Sequence, residues 1–107
     1  MNLEPPIRID ERKLTHYLLI KLDRDDKSNY LSLAGYDSTN WEQLTIDLMA
    51  LATSDNATLE RGNGYGVLYS VVGQLPGING RSVWVKTIWM RDVDEEITKF
   101  ITLYPPS

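Results

Sequence analysis

At 107 residues the chain has room for one domain, with a core that hides about two thirds of the surface its unfolded form exposes. Its 42% hydrophobic and 24% charged content is ordinary globular usage and excludes intrinsic disorder. A formal charge of −4 leaves only a local basic patch for any nucleic-acid contact. The absence of cysteine excludes disulfides and thiolate chemistry, and a single histidine, His16, excludes His-rich zinc sites.

The N-terminal segment 1–9 contains Pro5 and Pro6, which fix φ and remove amide donors, so it reads as an extended arm preceding a single α+β domain over 10–107. Asp10 suits an N-cap, and Leu14, Tyr17 and Leu18 recur at helical spacing, predicting a first helix near Glu11 to Ile20. The stretch Asp23, Arg24, Asp25, Asp26, Lys27 lacks the glycine and distant bidentate Glu of a calcium loop and reads as a solvated connection.

Tyr30, Leu31, Leu33 and Ala34 predict a short second helix, with Gly35 just past its end. Thr39 followed three positions later by Glu42 has the pattern of a capping box. The third helix follows it, with Trp41, Leu44, Leu48, Leu51 and Ala52 on one face.

Beyond Thr53 the residues become β-branched and aromatic. Gly62-Asn63-Gly64 and Asn79-Gly80 divide this half into strands at Ala57 to Arg61, Tyr65 to Val72 and Arg81 to Arg91, and an acidic link over 92–96 leads into Ile97 to Tyr104. The expected architecture is therefore about three N-terminal helices packed on a C-terminal antiparallel sheet of about four strands.

The strand Arg81 to Arg91 splits its side chains between two faces, neither cleanly apolar. Val85, Thr87 and Trp89 lie on one, with Trp84, Lys86 and Ile88 on the other. Pairing Arg91 with Ile97 places Lys86 opposite Thr102 and Trp84 opposite Tyr104. Phosphodiester cleavage needs a cation to stabilise phosphorane charge and a group to move protons. Arg81 and Lys86 are the candidates for the first role, Thr102 for positioning the phosphate, and Tyr104 or His16 for proton transfer. Trp84 and Trp89 are the candidate anchors for a protein partner.

The alternating Gly62, Gly64 and Gly66 do not form a phosphate loop, because no helix begins after them. No metal or cofactor is expected. No apolar run approaches the roughly 20 residues that cross a bilayer, and Met1 to Asp10 lacks the apolar core of a secretory signal, so the expected location is cytoplasmic.

The stretches Lys13-Leu14-Thr15-His16-Tyr17-Leu18-Leu19, Asn40-Trp41-Glu42-Gln43-Leu44 and Gly80-Arg81-Ser82-Val83-Trp84-Val85-Lys86-Thr87-Ile88-Trp89, with the terminal Ile101-Thr102-Leu103-Tyr104-Pro105, resemble a family of small uncharacterised bacterial domains common in cyanobacteria. That resemblance implies a bacterial, cytoplasmic domain of unassigned activity. The helix-before-sheet order and the ending Thr102-Leu103-Tyr104-Pro105 are also similar to ribonuclease toxins of the barnase, colicin and RelE-like class. The expectation this carries is a metal-independent ribonuclease toxin with RNA as substrate and a small cognate protein as partner. The alternative is a non-catalytic protein-binding module, or an antitoxin- or immunity-type partner.

Overall fold

The computed structural model describes residues 2–22, 27–62 and 64–106. The charged run Asp23 to Asp26 and the hairpin residue Asn63 lie outside these. Strand β1 (Ile7–Arg8) comes first, followed by α1 (Glu11–Lys13), which continues as a π-helical turn over Leu14–Leu18. Then come α2 (Ser28–Ser32), a 3-10 turn (Ser38–Asn40) and α3 (Trp41–Ala52). The strands β2 (Ala57–Gly62), β3 (Gly66–Leu75), β4 (Val83–Asp92) and β5 (Thr98–Tyr104) complete the chain.

The sheet corrects the expected architecture. It has five strands in the order β1-β5-β4-β3-β2, and it is mixed, because β1 runs parallel to β5 while the other neighbours are antiparallel. The order of elements is therefore not helices first. The cause lies in the proline-containing segment: prolines lack an N–H but keep their carbonyls, and Pro6 O accepts from Thr98 N (2.9 Å) while Glu4 O accepts from Thr98 Oγ1 (2.6 Å). Leu3, only 4% exposed, joins the core from the same segment.

The helices cover one sheet face. Leu14, Leu18, Leu31, Leu44 and Leu48 pack against Val71, Leu75, Val85, Trp89 and Leu103, all fully buried. Burying these side chains is the main favourable term in folding, at about 1.5–3 kcal/mol for each large one. Within the π-helical turn, Leu19 N donates to Leu14 O (2.9 Å), and the widened spacing buries Leu14, Leu18 and Leu19 together.

The start of α3 differs from the Thr39 expectation. Asp37 is the cap, accepting from Thr39 N (2.8 Å) while Asn40 Oδ1 accepts from Asp37 N (2.9 Å), so the capping box opens the 3-10 turn. Asp37 wins because it lies ahead of the first turn in extended conformation, with a carboxylate that accepts both the Thr39 amide and hydroxyl. Those bonds, the hydroxyl's first, hold its carboxyl below the usual range. Gly35 has φ +86°, as a helix-ending glycine should.

Along β4, Val85, Thr87 and Trp89 face the core while Trp84, Lys86 and Ile88 face outwards. The mixed inner face is self-satisfied: Trp89 Nε1 donates to Thr87 Oγ1 (2.8 Å), which donates to Val71 O (2.8 Å). Among the described residues no helix is long and apolar enough to cross a membrane.

Candidate functional site

The outer sheet face is organised by the register of β3, β4 and β5. Val72, Lys86 and Tyr104 form one cross-strand row, and Ser70, Ile88 and Thr102 form the next. The expected pairing of Lys86 with Thr102 and of Trp84 with Tyr104 is thus displaced by two residues. Part of the displacement comes from a bulge on β5 opposite Ile88 and Trp89, which inserts Ile101. Lys86 Nζ lies 6.0 Å from the centre of the Tyr104 ring, and the two line a concavity of about 340 Å³ with Glu60, Arg61, Leu68 and Ile88.

The other expected site residues do not gather there. Arg81 is exposed in the β3–β4 connection, beside Leu33, Ser82 and Val83. His16 is exposed on the π-helical turn and lines none of the concavities described here. Trp89, expected as a partner anchor, is fully buried with its ring edge-on to Phe100 at 5.2 Å; its place on the core-facing side of β4 removes it from any surface. Trp84 is 52% exposed and keeps a surface position.

A second region appears where β1 ends and α1 begins. One concavity of about 440 Å³ is lined by Asp10, Arg12, Lys13, Tyr17, Ile101 and Thr102. An adjoining one of about 270 Å³ shares Asp10, Lys13 and Ile101 and adds Arg8, Lys99 and Phe100. Together they make a groove along the open edge of β5. Chain geometry explains it: β1 stops at Arg8, Asp10 caps α1 by accepting from Arg12 N (3.0 Å), and the bulge turns Ile101 and Thr102 into the space left uncovered.

The groove is cationic although the protein is acidic. Among the described residues Arg8, Arg12 and Lys13 enter no ion pair, whereas Lys99 pairs with Glu95 at 3.0 Å. Lys27 Nζ reaches in to donate to Tyr17 Oη (2.6 Å) and Thr102 Oγ1 (3.3 Å), and lies 5.0 Å from the Tyr17 ring centre. Asp10 supplies a carboxylate and Tyr17 a phenol on the same wall. Such a wall can attract a phosphodiester, neutralise charge developing on it, and offer an acceptor and a donor for protons. Among the described residues no group of His, Cys, Asp and Glu is disposed to hold a metal ion.

Sequence reasoning found Thr102 but missed Arg8, Arg12, Lys13, Tyr17, Lys27 and Lys99. The one available signal was the closeness of Arg8, Arg12 and Lys13 in a chain with few bases.

The fold and the groove define a small α+β domain with a cationic cleft at a sheet edge. The chain belongs to a family described as a domain of unknown function, DUF6883, which matches residues 2–107. No curated protein and no solved structure matches it.

Proposed function

We propose that this domain acts on RNA in the manner of a ribonuclease toxin, binding the phosphodiester backbone in the β5-edge groove and cleaving it with side chains alone. The observation that supports this best is the gathering of Arg8, Arg12, Lys13 and Lys99 beside Asp10 and Tyr17 in a protein whose net charge is −4. Arg12 and Lys13 stabilise the phosphorane as the 2′-oxygen attacks phosphorus. Asp10 accepts the 2′-hydroxyl proton, and Tyr17, held by Lys27, protonates the departing 5′-oxygen. The products are a 2′,3′-cyclic phosphate and a 5′-hydroxyl. A neutralising protein partner, as a toxin of this kind has, would cover the same groove.

The test is RNA cleavage in the presence of a chelator. The expected result is chelator-resistant cleavage, reduced about a hundredfold or more by Tyr17→Phe and by Lys13→Ala, with melting temperatures unchanged. RNA left intact by the folded wild type, or cleavage unaffected in both variants, overturns the reading.

A protein-binding role is favoured by one observation, the exposure of Val72 (42%), Trp84 (52%) and Tyr104 (37%) on the outer face. Apolar surface shared between neighbouring strands is what such modules present to partners.

A further inference from the structure

The outer sheet face carries cations as well as apolar groups, and it meets the groove. Arg8 pairs with Lys99 across β1 and β5, Lys99 with Met90, and Lys86 with Tyr104. These pairs place Arg8, Lys99, Met90, Lys86 and Tyr104 on one side of the sheet, with Trp84 two residues beyond Lys86 on β4. Thr102 lines the groove and Tyr104, two positions on, lines the outer concavity, so about 7 Å of β5 joins the two.

We infer that this face is the base-binding platform of a single-stranded RNA site, in which Tyr104 and Trp84 stack on bases while the groove holds the adjoining backbone. The inference rests on the reading of the groove as the phosphodiester site. A cationic track beside exposed aromatic rings is the combination that binds single strands, since every base has a π-face and every linkage a charge. Arg61 and Lys86 stand at the rim of the outer concavity, Leu68 and Ile88 furnish apolar lining, and Tyr104 offers a ring. Glu60, which accepts from Ser70 Oγ, is the one carboxylate among the described residues that line it and presents an acceptor to a base edge. Charge complementarity selects RNA over a protein occupant: Arg61 and Lys86 stand beside Tyr104, and Lys99 and Arg8 continue the positive charge along the same face towards the groove. A duplex is a poor occupant because its base faces are already stacked and unavailable to Trp84 or Tyr104.

The experiment measures binding of a short 2′-O-methyl oligoadenylate, which cannot be cleaved by 2′-oxygen attack, against an abasic phosphodiester of equal length and a 2′-O-methyl duplex. The full chain is used, with Trp84→Ala, Tyr104→Ala, Trp84→Phe, Tyr104→Phe and the double variant Arg8→Ala/Lys13→Ala. The expected result is that the oligoadenylate binds about tenfold or more tightly than either comparison ligand. Each alanine variant should reduce that preference severalfold without changing the salt dependence, while the phenylalanine variants keep it. The Arg8/Lys13 variant should weaken oligoadenylate and abasic ligand alike and flatten the salt dependence.

Equal affinity for oligoadenylate and abasic ligand, preference for the duplex, or alanine variants that bind as the wild type does would overturn the platform alone. Failure of the Arg8/Lys13 variant to alter binding would instead overturn the groove reading on which it stands. Absence of nucleic-acid binding by the folded wild type overturns both and leaves the face to a protein partner.

Discussion

The Tyr36 phenol donates a 2.5 Å hydrogen bond to Asp47 Oδ2, tying the loop after α2 to the middle of α3. Both residues are buried, Gln43 Nε2 donates to the other Asp47 oxygen (3.0 Å), and Gly77 N donates to Tyr36 Oη (3.1 Å). Three segments distant in sequence thus meet at one hydroxyl. Burial, and then the Asp47 hydrogen bond, push the Tyr36 phenol far above the usual tyrosine range.

Tyr36→Phe leaves a buried carboxylate oxygen and the Gly77 amide without this partner, and should cost about 1–3 kcal/mol. Its signature is pH dependence. A tyrosine whose folded pKa is raised contributes stability that is fully present below the unfolded value, roughly 10, and is lost as pH climbs towards the folded value. Denaturant melts of wild type and variant across the alkaline range should therefore converge above pH ~10. Parallel curves would contradict this.

Gly77 and Gly80 both have positive φ, +85° and +86°, but only one is crowded. A Cβ on Gly77 would sit 2.1 Å from Arg81 O, whereas one on Gly80 would meet nothing within 4 Å. Gly80→Ala should cost about 1–2 kcal/mol from conformation alone, and Gly77→Ala clearly more, because backbone must also move. Equal midpoint shifts in urea would refute the distinction.

Thr87→Val should cost about 1–3 kcal/mol, because the Trp89 indole N–H and the Val71 carbonyl both lose the hydroxyl that joins them. Thr87→Ser, which keeps the hydroxyl, should retain most of that. Thermal melts monitored by circular dichroism compare the two.

Leu3→Ala should cost about 2–4 kcal/mol, as expected for a core leucine and not for a residue in a loose arm. Arg91→Ala is a milder probe of the same segment, since Arg91 Nη1 donates to Glu4 O (3.3 Å) and Pro5 O (3.4 Å), and its Nε lies 3.7 Å from the Glu4 carboxylate. An unchanged melting temperature in the Leu3 variant would show that this segment is dispensable.

The elements with a strong period were the legible ones. Helix α3 announces itself through Leu44, Leu48 and Ala52, and β3 and β4 through glycine-bounded β-branched runs. Strand β1 has no such signature: it is two residues long, follows two prolines, and exists only because β5 offers an edge. The faces of β4 were divided as the alternation implied, but both carried a tryptophan and polar groups. Only the bond from Trp89 to Thr87 shows how the inner face accommodates its hydroxyl. The register of β5 was beyond reach because Arg91 pairs with Thr98 and not Ile97, and one bulge residue, Ile101, then shifts every pairing after it by one more. The groove was hidden for a related reason, since Arg8 and Lys99 are neighbours through parallel pairing and not through sequence.

That pairing also governs when the domain can become complete during synthesis. Ile7 is translated long before its partner Thr98, so the ribosome must deliver everything between them before β1 can find its place. The groove takes Arg8, Arg12 and Lys13 from one end and Lys99, Ile101 and Thr102 from the other. A nascent chain therefore has no assembled groove. Whatever the site does is withheld until β5 has left the exit tunnel, and a product that stops short of Thr98 lacks one wall of the groove.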